Sequence, residues 1–159
     1  MTKAMHFDSD VLNKHFGRIW PVHVDAFSQL LITLRKCFGG DLDLMLVLAI
    51  IGSRTLPASR INGLSYSDFE SGQRHDIPFR PINLQSIADC TGIPRETVRR
   101  KVSELQALGW IERRENGVLA VTEQASEALV PATQATMLYL VAVGAACVDT
   151  ANREVAAGG

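Results

Sequence analysis

Between residues 24 and 38 the apolar side chains fall at Phe27, Leu30, Leu31, Leu34 and Phe38, the spacing of one helical face. Gly39-Gly40 ends that helix, because glycine enters the left-handed turn without steric cost. Asp41 stands as the cap of a second helix over residues 42–53. That helix is apolar nearly all round and is expected to be buried. Residues 54–80 then lose the pattern. They are rich in Pro, Gly, Ser and Asp, and Leu64, Tyr66 and Phe69 keep no sustained period. The expectation is a long loop with at most a short helix at 66–71. A loop of this length is uncommon inside a compact domain, and both an ordered functional loop and a mobile one stay open.

The pattern sharpens after Phe79. Arg80-Pro81-Ile82 reads as a short extended piece, since Pro81 biases Arg80 away from helix. Asn83 caps a helix over 84–91, Gly92-Ile93-Pro94 makes a tight turn, and a second helix runs over 95–108 to Gly109. Short strands at 110–114 and 118–121 meet through Glu115-Asn116-Gly117. Asn-Gly is the strongest local hairpin signal, because both residues tolerate positive φ. Thr122 caps a further helix starting at Glu123. Pro131 breaks it or begins another, and the last helix covers 132–151. The fold class is mainly α with a small β-hairpin wing: a winged helix-turn-helix flanked by N- and C-terminal helices. The chain is expected to be one domain, 1–159. Residues 1–53 would be core and dimer helices, 54–80 the loop, 81–122 the winged helix-turn-helix, and 123–159 dimer helices.

Composition narrows the classes. With 159 residues and a 47% hydrophobic fraction the chain is globular rather than disordered. Net charge is −1, which does not announce nucleic acid, but the local field is what a DNA contact needs. Between residues 92 and 101, Arg95, Arg99, Arg100 and Lys101 stand against the single acid Glu96. Cys37, Cys90 and Cys147 are odd in number and far apart, so neither a disulfide framework nor a zinc site is expected, and a reducing cytoplasm fits. Cys37 and Cys90 read as small buried residues, and Cys147 as core or dimer seam. His6, His15, His23 and His75 have nothing that makes them converge, so no metal is expected.

The first ten residues carry Asp8 and Asp10 without an apolar core and do not read as a signal peptide. The uncharged stretch 128–148 is long enough to cross a bilayer. It contains Pro131, Thr133, Gln134, Thr136 and Gly144, and is read as a buried or dimer helix, with no membrane. Trp20 and Trp110 are read as packing residues, Trp110 anchoring the wing. No nucleophile–base pair, phosphate-cradling glycine loop or paired-carboxylate site is visible. Asp41 and Asp43 are explained by capping and the helix dipole. The chain is therefore not read as an enzyme, and no cofactor is expected.

The functional constellation starts with three positions. Ala88 lets two helices approach, Gly92 permits the sharp turn, and Val98 fills the wedge between them. Ile87, Ile93, Val102 and Leu105 complete that core. At about 100° per residue, Val98, Val102 and Leu105 share one side of the second helix. Glu96, Arg99, Arg100, Ser103 and Ala107 share the other, with Arg95 in the first turn. The N-terminal end of such a helix enters the major groove, where arginine pairs with a guanine edge and glutamate accepts from cytosine N4. A charged helix face is ordinarily only solvated; the helix-turn-helix frame gives this one a use. Arg113 and Arg114 could reach the minor groove or the backbone from the wing, with Glu112 and Glu115 partly cancelling their charge.

Arg95-Glu96-Thr97-Val98-Arg99-Arg100 resembles the recognition helix of the catabolite activator (Crp/Fnr) family over roughly residues 84–117. That resemblance implies base contacts by Arg95, Glu96 and Arg100 and a phosphate contact by Thr97. The hairpin followed by Thr122-Glu123-Gln124-Ala125 looks more like the MarR family, whose flanking helices build a dimer. The chain departs from the first pattern in three ways. The residues before 80 read mainly helical and are too few for a cyclic-nucleotide domain. Pro94 replaces the usual capping serine. Lys101 fills a position that is often apolar or small, so its stem is expected along the core edge with the amine outside.

The leading expectation is a cytoplasmic, homodimeric transcription regulator that binds double-stranded DNA through Arg95, Glu96, Thr97, Arg99, Arg100, Lys101 and Ser103, with Arg113 and Arg114 in the wing. The alternative is a winged-helix protein-interaction module that never touches DNA. A refinement of the first adds a small-molecule effector in an apolar pocket near Trp20, Phe27 and Met45.

Overall fold

The computed structural model describes residues 6–55, 62–71, 82–115 and 117–157, without the side chain of Glu70. Its elements in chain order are α1 (Ser9–Lys14), α2 (Phe16–Cys37), α3 (Leu42–Thr55), α4 (Tyr66–Glu70), α5 (Leu84–Thr91), α6 (Arg95–Ala107), β1 (Ile111–Arg113), β2 (Leu119–Val121), α7 (Glu123–Ala128) and α8 (Val130–Ala157). They form two compact units, Phe38–Val130 and Met1–Cys37 with Pro131–Gly159. The architecture is mainly α with a two-stranded antiparallel hairpin behind the helix-turn-helix, the expected fold class.

In the Phe38–Val130 unit, α3 packs against β2, α6 and α5. Val47 and Ile51 from α3, Ile87 from α5, and Val98 and Leu105 from α6 are fully buried. Each wholly buried Val, Ile or Leu contributes about 1.5–3 kcal/mol, so α3 holds the helix-turn-helix in place. It is not buried all round as expected: Leu42 and Leu46 face outward. Its C-terminal Thr55 is buried, donates to the Ile51 carbonyl at 2.9 Å and accepts from the Val121 amide at 3.3 Å. That one hydroxyl ties α3 to the wing.

The helix-turn-helix follows its local signals. Asn83 accepts from the Ser86 amide at 2.9 Å and caps α5. Gly92 has φ +72, and its N–H bonds to the Ala88 carbonyl at 2.8 Å. That left-handed turn is open to glycine at little cost. In the wing Ile111 pairs with Val121, Glu112 with Ala120 and Arg113 with Leu119. Gly117 has φ +77, as a turn between these strands needs; Asn116, its expected partner in the turn, lies outside the described residues. Thr122 donates to the Gly109 carbonyl at 2.6 Å and accepts from the Ala125 amide, so one side chain closes the wing and caps α7. Trp110 meets buried Phe38 edge-on, ring centroids 5.6 Å apart.

In the span expected to be a loop, α4 occupies Tyr66–Glu70, with Ser65 and Asp68 forming a reciprocal capping box. Residues 56–61 and 72–81, which include the extended piece expected at Arg80-Pro81, lie outside the described residues.

In the other unit α2 begins at Phe16, well before the start expected from its apolar spacing. Pro21 lies inside it, where it cannot donate to the carbonyl four residues earlier and its ring crowds that carbonyl. Lys14 and His15 reach Glu154 at 2.6 and 2.7 Å, and His23 Nδ1 lies 3.1 Å from the Tyr139 hydroxyl. Three expectations about burial need correction. Cys90 is exposed rather than buried, because it falls on the outer face of α5. Trp20 is 49% exposed and stacks on Phe16 at 5.0 Å rather than filling a core. α8 is long and apolar enough to cross a membrane by length and composition, and Leu138, Leu140 and Val141 lie largely open; within one chain it is not a buried helix.

Candidate nucleic-acid interface

α6 carries the outward face. Val98, Val102 and Leu105 turn inward and are buried, which leaves Arg95, Glu96, Arg99, Arg100 and Ser103 exposed and Thr97 half-buried. The helix starts without a side-chain cap, because Pro94 has none to offer. Its first amides therefore keep no side-chain acceptor. Such a terminus suits an anion.

The charges on this face are not equivalent. Arg99 is clamped to Glu96, with Nε 3.0 Å from both carboxylate oxygens and Nη2 2.5 Å from one. The Arg99 hydrogen bond holds the Glu96 carboxyl below its ordinary value, with the charges of Arg99, Arg95 and Arg100 adding to it, and Glu96 in turn raises Arg99. Arg95 and Arg100 make no ion pair among the described residues. Their charge is available to a ligand, whereas that of Arg99 is half spent on Glu96. Substituting Glu96→Ala is therefore expected to free Arg99. Non-specific affinity for duplex DNA should rise several-fold, and the slope of log K against log salt should steepen by up to about one. Fluorescence anisotropy at three salt concentrations measures both; an unchanged slope would mean Arg99 already reaches phosphate with Glu96 in place.

Lys101 does not join this face. It is 8% exposed, and its amine donates to Asp41 at the start of α3 and to Glu104 at 3.2 Å. The expected outward amine is thus turned inward, because a carboxylate waits on the neighbouring helix. Asp41 does two things at once. Oδ1 caps α3 through the Leu44 amide at 2.8 Å, and Oδ2 accepts from Lys101. Burial pushes the Asp41 carboxyl up, but Lys101 and the Leu44 amide outweigh it and hold the group below 3.8. The hydrogen bond from Lys101 to Asp41 holds the amine above 10.5 against burial.

The wing brings one arginine to α6. Arg113 shares a cleft of about 310 Å³ with Arg95 and with Asn83, Leu84 and Gln85 at the start of α5. Its Nη1 donates to the Gly117 carbonyl at 3.3 Å. Arg114 instead pairs with Glu112 at 3.1 Å. A second depression, also about 310 Å³, runs along α6 between Glu96, Thr97, Arg99, Arg100 and Ser103. Gln85 was not anticipated at the site. Its only sequence signal is its place in the first turn of a capped helix.

Residues 59–125 match the family model of the Crp-like helix-turn-helix domain. That span holds α5, α6, the wing and the capped start of α7, and it supports a DNA-binding regulator of Crp-like helix-turn-helix type. The likeness to the MarR family finds no support. No curated protein and no solved structure matches the chain.

Proposed function

We propose that this protein is a sequence-specific DNA-binding transcription regulator of the cytoplasm, acting as a homodimer, with α6 in the major groove and the wing beside it. The observation that carries the reading is the division of charge on α6. Arg95 and Arg100 stand free of ion pairs among the described residues, at and just after a helix start with no side-chain cap, while Lys101 is committed to Asp41. Arg95 and Arg100 would read guanine edges, since a guanidinium presents two parallel donors to O6 and N7. Glu96 would accept from cytosine N4 and hold Arg99 in a fixed rotamer. Thr97 and the first amides of α6 would take a phosphate, with Ser103 further along the same face. Arg113 would hold the flanking backbone from the wing, with Arg114, paired to Glu112, contributing less. Two copies would place two such helices on half-sites about one helical turn, roughly 34–36 Å, apart.

Enrichment from a pool of random duplexes tests the reading. A palindromic motif with half-sites about ten base pairs apart, protected from chemical cleavage in both major-groove halves, is the expected outcome. Binding that enriches no motif, together with co-purification of a defined protein partner through the α6 face, would move the function to the protein-interaction module.

A further inference from the structure

We propose that Thr55 is a positioning residue for the wing: its buried hydroxyl fixes the root of the hairpin against α3 and so sets where Arg113 stands beside Arg95. The backbone register gives the reason. The Arg114 amide donates to the Val118 carbonyl at 3.0 Å and the Thr122 amide to the Trp110 carbonyl at 3.1 Å. Hydrogen-bonded and non-hydrogen-bonded pairs alternate along an antiparallel ladder. Ile111 opposite Val121, one step from Trp110 and Thr122, is therefore a non-hydrogen-bonded pair. The Val121 N–H points away from β1, off the outer edge of β2. There it meets α3, whose Thr55 hydroxyl accepts it at 3.3 Å while donating to the Ile51 carbonyl at 2.9 Å.

The position asks for that oxygen. Thr55 is 1% exposed. Valine would fill the same space without a polar atom to bury, so packing alone does not call for threonine. Leu119 and Ala120 are buried as well, and β2 lies along α3. Apolar contact is non-directional, however, and holds the hairpin on the core without fixing its tilt. A two-stranded hairpin is marginal by itself. Thr122 pins one point of its root through the Gly109 carbonyl at 2.6 Å. With that point alone the strands could rock about Trp110 and Thr122. The bond from Val121 to Thr55 is a second directional point, one residue along and on the outer edge.

The charge placed by this root is close to it. Arg113 pairs with Leu119, two positions along β2 from Val121, a rise of roughly 7 Å. Arg113 and Leu119 line the cleft that also holds Arg95 and Gln85. Side chains two apart on a strand share a face, so a shift at Val121 passes to Leu119 and Arg113 together. Thr55 acts on that cleft through the wing. The consequence for DNA rests on the regulator reading above; the fixing of the wing does not.

The test uses the full chain as wild type, Thr55→Val, Thr55→Ser, Arg113→Ala, and Thr55→Val with Arg113→Ala. Valine strips the hydroxyl and serine keeps it. Gly52→Ala added to Thr55→Val guards against poor folding: alanine favours the helix, and its Cβ would meet Val121 Cγ2 at 3.8 Å, an ordinary contact, without restoring the acceptor. In hydrogen exchange followed by NMR, the Val121 amide should speed up about tenfold more than the amides of α6 in Thr55→Val, and match wild type in Thr55→Ser. On the preferred duplex, Thr55→Val and Arg113→Ala should each lose about three- to tenfold in affinity and lower the salt slope by up to about one. Thr55→Ser should bind as wild type. The Thr55→Val, Arg113→Ala protein should lose no more than Arg113→Ala alone, because the hydroxyl reaches DNA only through Arg113. A hydroxyl that served stability alone would lower the melting temperature and leave the salt slope where it was. That slope, losses that add in the double variant, or a Val121 amide that exchanges no faster than those of α6 would overturn the proposal. Wild type that binds no duplex would instead sink the regulator reading, and the exchange of Val121, fast with valine and slow with serine, would still uphold Thr55 as the residue that fixes the wing.

Discussion

Replacing Arg95 and Arg100 together by alanine is expected to lower affinity for the preferred duplex by two orders of magnitude or more, while the protein melts as wild type does. Each bidentate arginine–guanine pair is worth about 1–3 kcal/mol of discrimination, so losing two removes most of what separates a preferred site from any other. Both side chains are exposed and make no ion pair among the described residues, so their loss leaves no buried charge behind. The affinity for scrambled duplex should fall far less, because the phosphate contacts proposed for the amides at the start of α6 and for Arg113 would survive. Anisotropy with preferred and scrambled duplexes separates the two effects. Equal losses on both would mean that the arginines act as charge and not as readers.

The second large effect is on stability and comes from a residue outside the outward face of α6. Asp41→Ala removes the cap of α3 and takes the main partner from a lysine that is nearly buried. A lost cap costs about 1 kcal/mol, and stripping a buried pair of one member costs about 3–5 kcal/mol. The remaining contact of Lys101 with Glu104 relieves part of this. The expected loss is about 2–4 kcal/mol, a fall in melting temperature on the order of 10 °C. Lys101→Met should cost much less, since it fills the same space without a charge and leaves Asp41 capping α3. It should also leave DNA affinity and salt slope unchanged. A Lys101→Met protein that melts normally but binds DNA weakly would return Lys101 to the interface.

The pH dependence of this clasp has a definite sign. The folded Asp41 carboxyl lies below its ordinary value, so its contribution is present above about pH 4 and is lost as pH falls through the folded value. The Lys101 amine lies above its ordinary value, so its contribution is complete below about pH 10 and is lost only as pH rises beyond that. Between those limits the clasp should be insensitive to pH, and Asp41→Ala should flatten the acid limb of the melting curve.

The DNA-binding motif was legible because its signals are local. Asn83, Gly92, Gly109, Gly117 and Thr122 each dictate a cap or a turn from their own chemistry, and the apolar spacing of Val98, Val102 and Leu105 orients α6 without help from elsewhere. What escaped depends on partners distant in sequence. Lys101 turns inward because of Asp41, sixty positions earlier, and no periodicity reports that. The exposure of Trp20 and of the α8 stripe is equally invisible in spacing alone, since an apolar stripe looks the same whether it meets its own chain or another. Among the expected site residues the structure brings Arg95, Glu96, Thr97, Arg99, Arg100 and Ser103 onto one face and carries Arg113 to it. It sends Lys101 to the core and pairs Arg114 with Glu112.

The most direct measurement is enrichment from random duplexes at two salt concentrations, with wild type and the Arg95→Ala, Arg100→Ala protein run side by side. A palindrome enriched by wild type at both salts, and lost from the variant while weak salt-sensitive binding persists, is the expected result. No enriched sequence, with the same residual binding for both proteins, would contradict base reading by α6.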